Sequence, residues 1–277
     1  MLRDARFTWS AITVLALAAA VRSIAAPTPE EIMQKSVAAT EADWREAPAY
    51  AFINREVASK HGSTTVKTYE VTMIEGSQYN RLVALNDRPL SPGEREEEAR
   101  KLQQEIYKRQ HESNRERNRR IAKYRKERDQ DHAMTKEMAN AFEFKLIGEE
   151  RMDGRDTWVL DASPKPGYAP PNHEARVLTG MRGKLWVDQA TYQWVKVEAQ
   201  VVRPVSFFGF LARVGPGTRF ELEQRPVRED LWLPAHFGMK VNATALGFIS
   251  ENSAEDDTYR DYRPSPAAAV ADIQSTQ

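Results

Sequence analysis

Between Tyr192 and Val202 the chain alternates strictly, with Val195, Val197, Ala199 and Val201 on one side and Lys196, Glu198 and Gln200 on the other. Ala235, Phe237, Met239, Val241, Ala243 and Ala245 repeat the pattern against His236, Lys240, Asn242 and Thr244. A period of two can bury its apolar side only as a strand, because in a helix the same residues would be spread round the cylinder. The pattern recurs at 49–59, 65–75, 78–85, 142–146, 157–161, 183–188, 219–224, 231–233 and 257–263, with 219–224 expected to pair with 231–233 as a hairpin. The breaks are turn signals, among them His61-Gly62-Ser63, Glu75-Gly76-Ser77 and Asp153-Gly154. About ten or eleven antiparallel strands follow, with few helices, so the class is α+β with one large curved antiparallel sheet.

Two stretches break the period. Thr28 to Ala47 reads as a helix capped by Thr28, with Pro29 at its first position, Glu30 and Glu31 at the favourable end of its dipole, and Pro48 as a stop. At Ser91-Pro92-Gly93-Glu94 a capping-box spacing opens a long helix, mostly Glu, Gln, Lys, Arg and Asn as far as Arg128. Its apolar residues are too sparse for a buried helix. A shorter helix carrying Met134, Met138 and Phe142 returns to the body after Asp129-Gln130-Asp131. Residues 91–141 are thus a charged helical insertion in a single domain spanning 26–263, and 264–277 is a small-residue tail expected to be disordered.

The N-terminus reads as a signal peptide: Arg3 and Arg6, an apolar stretch from Phe7 to Val21, and small residues Ser23 and Ala25 that predict cleavage after Ala25. Export is expected, and no spanning segment is expected in the mature chain. There is no cysteine. Disulfides, a lipidated cysteine and thiol chemistry are therefore excluded. The full chain carries 40 basic and 40 acidic residues, and loss of residues 1–25 leaves 37 against 39, so nothing in the net charge recruits nucleic acid.

Motifs of catalysis were sought in the same way. The five histidines are scattered, and His173-Glu174 lacks a second histidine at the spacing of a zinc site, since position 177 is Val. There is no nucleophile elbow, phosphate loop or dinucleotide fingerprint, so no catalytic residue, metal ligand or cofactor is expected and the chain reads as a non-enzyme. The basic run Arg115 to Arg128 reads as one end of a solvated helix whose other end is acidic.

Two groups of segments then fit a known pattern. One is Ala141-Phe142-Glu143-Phe144 to Gly148-Glu149-Glu150, then Gly154-Arg155-Asp156-Thr157-Trp158-Val159-Leu160 and the loop Pro164-Lys165-Pro166-Gly167-Tyr168. The other is Gly183-Lys184-Leu185-Trp186-Val187-Asp188 with Val195-Lys196-Val197-Glu198. Together they resemble the outer-membrane lipoprotein-carrier (LolA-like) superfamily of exported bacterial proteins, and Asn86-Asp87-Arg88-Pro89-Leu90-Ser91 is similar to the entry to a helical insertion in relatives of this layout. The resemblance implies a periplasmic protein and a half-barrel, one strongly curved antiparallel sheet with helices on its concave side, whose apolar concavity takes up a lipid or lipoprotein acyl chain without catalysis. No arginine here matches the carrier's lid-locking arginine.

On that basis the expected lining comprises Val195, Val197, Phe220, Phe237 and Met239, joined by Phe207, Phe208, Phe210 and Leu211 from the apolar stretch Pro204 to Gly217. That stretch is expected to form one or two helical turns or a loop at the rim, either a flap over the groove or a fixed plug. The alternative function is a cell-envelope sensor or interaction module on the same fold, touching a partner protein through the 94–128 helix.

Overall fold

The computed structural model describes residues 26–60, 62–207, 212–245 and 249–265. The expected signal peptide, residues 208–211 with Phe208, Phe210 and Leu211, and the tail from 266 lie outside the described residues.

Helix α1 (Pro29–Glu46) starts as its sequence requires: the Thr28 hydroxyl accepts from the Glu31 N–H while the Glu31 carboxylate accepts from the Thr28 N–H. A 3-10 turn, Ala47–Ala49, leads into β1 (Tyr50–Lys60), β2 (Ser63–Ile74), β3 (Ser77–Leu85) and the two-residue β4 (Arg88–Pro89). Asn86 and Asp87 both take positive φ in the β3–β4 turn, where Asp87 also receives a bidentate pair of bonds from Arg55, each 2.7 Å.

The insertion follows as α2 (Pro92–His111) and α3 (Asn114–Ala141). The helix expected to run unbroken to Arg128 stops at Glu112. A second capping box, Ser113 with Glu116, restarts the chain there, and no break occurs at Asp129–Asp131.

The remaining strands are β5 (Phe142–Met152), β6 (Arg155–Pro164), β7 (Met181–Asp188) after a 3-10 segment Glu174–Gly180, and β8 (Trp194–Val201). Then come β9 (Val205–Phe207), β10 (Ala212–Val214), β11 (Arg219–Arg228), β12 (Leu231–Ala245) and β13 (Ile249–Pro264). All join one antiparallel sheet of 13 strands, in the order β4-β3-β2-β1-β13-β12-β11-β8-β7-β6-β5 with β10 and β9 attached beside β12. Its two ends, β4 and β5, are not paired with each other, so the sheet curls but stays open, and α2–α3 is the connection between those ends. The extra strands beyond the expected count are short ones, β4, β9 and β10.

Two expectations are corrected by the register. The hairpin expected to pair 219–224 with 231–233 instead pairs Phe220 with Met239 and Leu222 with Phe237, and only 225–228 reaches 231–233. The stretch 204–217, expected as helical turns or a loop, carries the hairpin strands β9 and β10, with β10 paired to 243–245 of β12. Gly180 fits against this hairpin at a distance no side chain allows: a Cβ there would lie 2.5 Å from both the Arg203 carbonyl oxygen and Val205 Cγ2.

One face of the sheet, here the inner face, is covered by α1 and the last turns of α3. Ile32 and Met33 of α1 meet Trp158, Leu160, Leu185, Val187, Trp194 and Val197, with Met138 and Ala139 of α3 packed at the margin. A second group on this side gathers Phe142, Ala162, Leu178, Met181 and Val201.

Candidate functional site

Antiparallel partners share a face, so the register reads directly as rows across the inner surface. One row runs Leu146, Leu160, Leu185, Val197, Leu222, Phe237, Asp257, Glu56, and the row beside it runs Phe144, Ala162, Gly183, Ala199, Phe220, Met239, Glu255, Ala58. Both are apolar from β5 to β12 and turn acidic on β13. The β5–β8 end is closed by the helices, with Leu160 wholly buried, Leu185 4% exposed and Val197 8% exposed. Between α1, α3 and the sheet remains an apolar cavity of about 40 Å³, lined by Met33, Met138, Phe144, Trp194, Val197, Gly183 and Ala199 among others. It has room for a methyl-sized group or two, not for a chain.

Past Ala199 the cover ends. Phe220, Leu222, Phe237 and Met239 are only half-buried, and the Phe220 and Phe237 rings meet edge to face, 5.4 Å between centroids at 76°. Gly183 and Ala199, among the smallest residues of their row, line the closed cavity on the side of Phe220. A continuous apolar path therefore joins the half-exposed strip to the space beneath α1.

Of the residues expected to line a ligand site, Val197, Phe220, Phe237 and Met239 come together on this face. Val195 does not. A β-bulge in β8 pairs Lys196 with Trp186 and Trp194 with Val187, so Val195 is the extra residue and turns to the outer face. There it packs with Val159, Trp186 and Trp232. The expected one-sided alternation of Val195 with Val197 fails for this reason. Phe207 is half-buried at the end of β9, whose Val205 is 8% exposed.

Several polar residues that hold the site in place carried no sequence expectation. Asp43, 4% exposed, accepts from the Trp232 N–H at 3.3 Å and so ties α1 to β12. Glu41 of α1 is paired with His132 at 2.7 Å and with Lys136, both on α3. Those two bonds hold its carboxyl down to about 2. Trp44 stacks on His132 at 4.4 Å, and the Arg128 guanidinium sits 4.5 Å over the Trp44 ring. The insertion is fixed to the β2–β3 turn by two arginines. Arg109, 7% exposed, donates to the Ile74 and Ser77 carbonyls at 2.8 and 2.9 Å, and Arg120 donates to the Ser77 hydroxyl and the Glu75 carbonyl at 2.7 and 2.9 Å. All of these are contacts across 32 or more residues that no local pattern encodes.

No family model and no curated protein sequence matches the chain. Among solved structures it is similar to a LolA superfamily protein from Nitrosomonas europaea (13% identity, 87% of this chain and 95% of that one, TM-score 0.32). It is also similar to a DUF1329 family protein from Desulfovibrio piger (12%, 88% and 97%, TM-score 0.33). A third likeness is to a chain of the Pseudomonas aeruginosa MucA/MucB complex (11%, 86% and 99%, TM-score 0.24). With TM-scores below 0.5, these likenesses carry nothing about what this chain binds or does. Among the described residues no helix is long and apolar enough to cross a membrane, which leaves β-barrel insertion unaddressed.

Proposed function

We propose that this chain is a non-enzymatic periplasmic binding protein that takes up an apolar chain, such as the acyl chain of a lipid or lipoprotein, on the inner face of its open sheet. The observation that supports the reading is the apolar path from Phe220, Phe237 and Met239 past Gly183 and Ala199 to the cavity beneath α1. A hydrocarbon laid over the strip covers area that the fold leaves half in water, at about 0.8 kcal/mol per buried methylene. The cavity is small as α1 now lies, so deep entry of a chain requires α1 and the end of α3 to lift together.

The test is calorimetric titration of the mature protein with dodecanol, an uncharged chain, beside organic extraction of protein purified from its own host. A lipid in the extract and saturable uptake of one or a few dodecanol molecules are expected, with uptake lost in Phe237→Asp and Met239→Asp variants that still melt cooperatively. A lipid-free extract together with no dodecanol uptake would overturn the reading.

A second reading, docking of an envelope protein on the insertion, is favoured by one feature. A stripe of α3 made by Ile121, Ala122, Arg125, Lys126 and Ala133 lines an open surface groove. Because Met134, Met138 and Ala141 of α3 pack into the core, removing the whole insertion would open it, and Arg125→Glu with Lys126→Glu is the cleaner probe. Loss of a host-envelope crosslink partner, with dodecanol uptake unchanged, would establish this second role.

A further inference from the structure

Where the apolar rows end, the inner face becomes acidic, and this change has a chemical direction. Asp257 stands next to Phe237, Glu255 next to Met239, and Glu56 pairs with Asp257 across the β1–β13 ladder. Among the described residues no lysine, arginine or histidine lies within ion-pair distance of any of the three carboxylates; Lys67, the next residue in the row on β2, forms no ion pair with Glu56. Asp257 is 6% exposed. Its Oδ2 accepts from the Tyr259 hydroxyl at 3.1 Å, while its buried Oδ1 finds no donor among the described residues. Asn54, paired with Tyr259 on the same face, likewise has a buried Oδ1 without a donor. Burial, with Glu255 and Glu56 adding to it, pushes Asp257 up to about 6 against the opposing Tyr259 bond. Two acidic charges and two buried acceptors therefore converge beside the apolar strip, and the open positions all call for hydrogen-bond donors.

On the reading of this face as an apolar-chain site, we propose that its ligand carries a primary ammonium group beside the chain, received by Asp257, Glu255 and Glu56. A primary ammonium brings one positive charge and three donors, whereas a quaternary ammonium brings the charge without a donor and an alcohol one donor without the charge. The ring pair of Phe52 and Tyr259, 5.9 Å apart, borders the same ground and favours an organic cation. A metal ion fits less well, since among the described residues no group of three or more histidine or acidic side chains is arranged to hold one.

The experiment compares three heads on one twelve-carbon chain, below their micellar concentrations, on the mature protein at neutral pH by titration calorimetry. Dodecylamine should bind about tenfold or more tighter than dodecanol and dodecyltrimethylammonium, the ratio expected of one charge-assisted hydrogen bond or better. Asp257→Asn and, separately, Glu255→Gln should bring dodecylamine to within about threefold of dodecanol, both measured on the same variant. Glu255 is half-buried, so its variant serves if the Asp257 variant does not fold. Equal affinities for the three heads, or an amine preference that survives both variants, would overturn the inference and leave the apolar-chain reading standing. Failure of dodecanol and dodecylamine alike would overturn both.

Discussion

Replacing Asp43 by Asn should make the protein more stable at neutral and higher pH, and the size of the gain follows from where Asp43 sits. Its carboxyl is pushed up to about 7, first by burial and then by Glu46 and Asp230, against the Trp232 N–H and the Gln193 side chain, which favour the anion. An unfolded aspartate titrates near 3.9. Between those two values the folded protein holds a proton that the unfolded chain has released, so stability falls as pH rises from about 4 to about 7. A separation of roughly three pH units corresponds to about 4 kcal/mol. Asparagine keeps an oxygen for the Trp232 N–H and loses the titration, and its amide is in reach of Gln193, whose Oε1 is buried without a partner. The assay is urea unfolding followed by tryptophan fluorescence at pH 4, 5, 6, 7 and 8 for both proteins. The difference between them isolates this group, because other titrations are common to both. It should be near zero or slightly unfavourable to the variant at pH 4 and grow to about 2–4 kcal/mol in its favour by pH 8. A difference that is flat with pH would refute the assignment of a buried, proton-retaining carboxyl at this position.

Glu41 acts in the opposite sense: its contribution is complete above about pH 4.5 and is lost as pH falls toward 2. Glu41→Gln should cost about 1–3 kcal/mol at pH 7 and raise amide exchange between 128 and 140, as hydrogen-exchange mass spectrometry would show. Arg109→Met leaves the Ile74 and Ser77 carbonyls short of a donor and should speed exchange in α2 and the β2–β3 turn while β6–β8 stay protected. Gly180→Ala must push backbone at Arg203 and should lower the urea midpoint by the equivalent of about 1–3 kcal/mol, more than an alanine at Gly148, where nothing lies within 4 Å.

The fold was largely legible because its strands obey their own period: the three N-terminal strands and α1 fall within a residue or two of their expected limits. What failed did so where pairing overrides local pattern. The bulge at Val195 inverts an alternation that looks perfect on paper, since a single unpaired residue is invisible without the neighbouring strand. The stretch 204–217 has the spacing of a short helix, but the edge of β12 that β11 leaves free beyond Lys240 offers its backbone partners that a helix would not use. The Ser113 break was readable and was masked by unbroken charge on either side. The acidic end was hidden for another reason: Glu255 and Asp257 lie two apart on one strand, but Glu56 reaches them only through the β1–β13 ladder.

That ladder has a consequence for how the molecule is made. The strand joining the β1–β4 side of the sheet to the rest is β13, which pairs Tyr50 with Pro264 and sits between β1 and β12. Until that last segment has been synthesised and threaded into place, β1 and β12 both present bare edges, and the two portions have no backbone bond between them. Assembly must therefore wait for contacts about two hundred residues apart in the chain, which makes closure slow and leaves the half-built sheet open to pairing with other chains. A chain cut short before Ile249 would leave the β1–β4 ribbon without strand pairing to the sheet that carries the apolar strip, held to it only by the helices and side-chain contacts, so loss of the C-terminal strand divides the sheet in two.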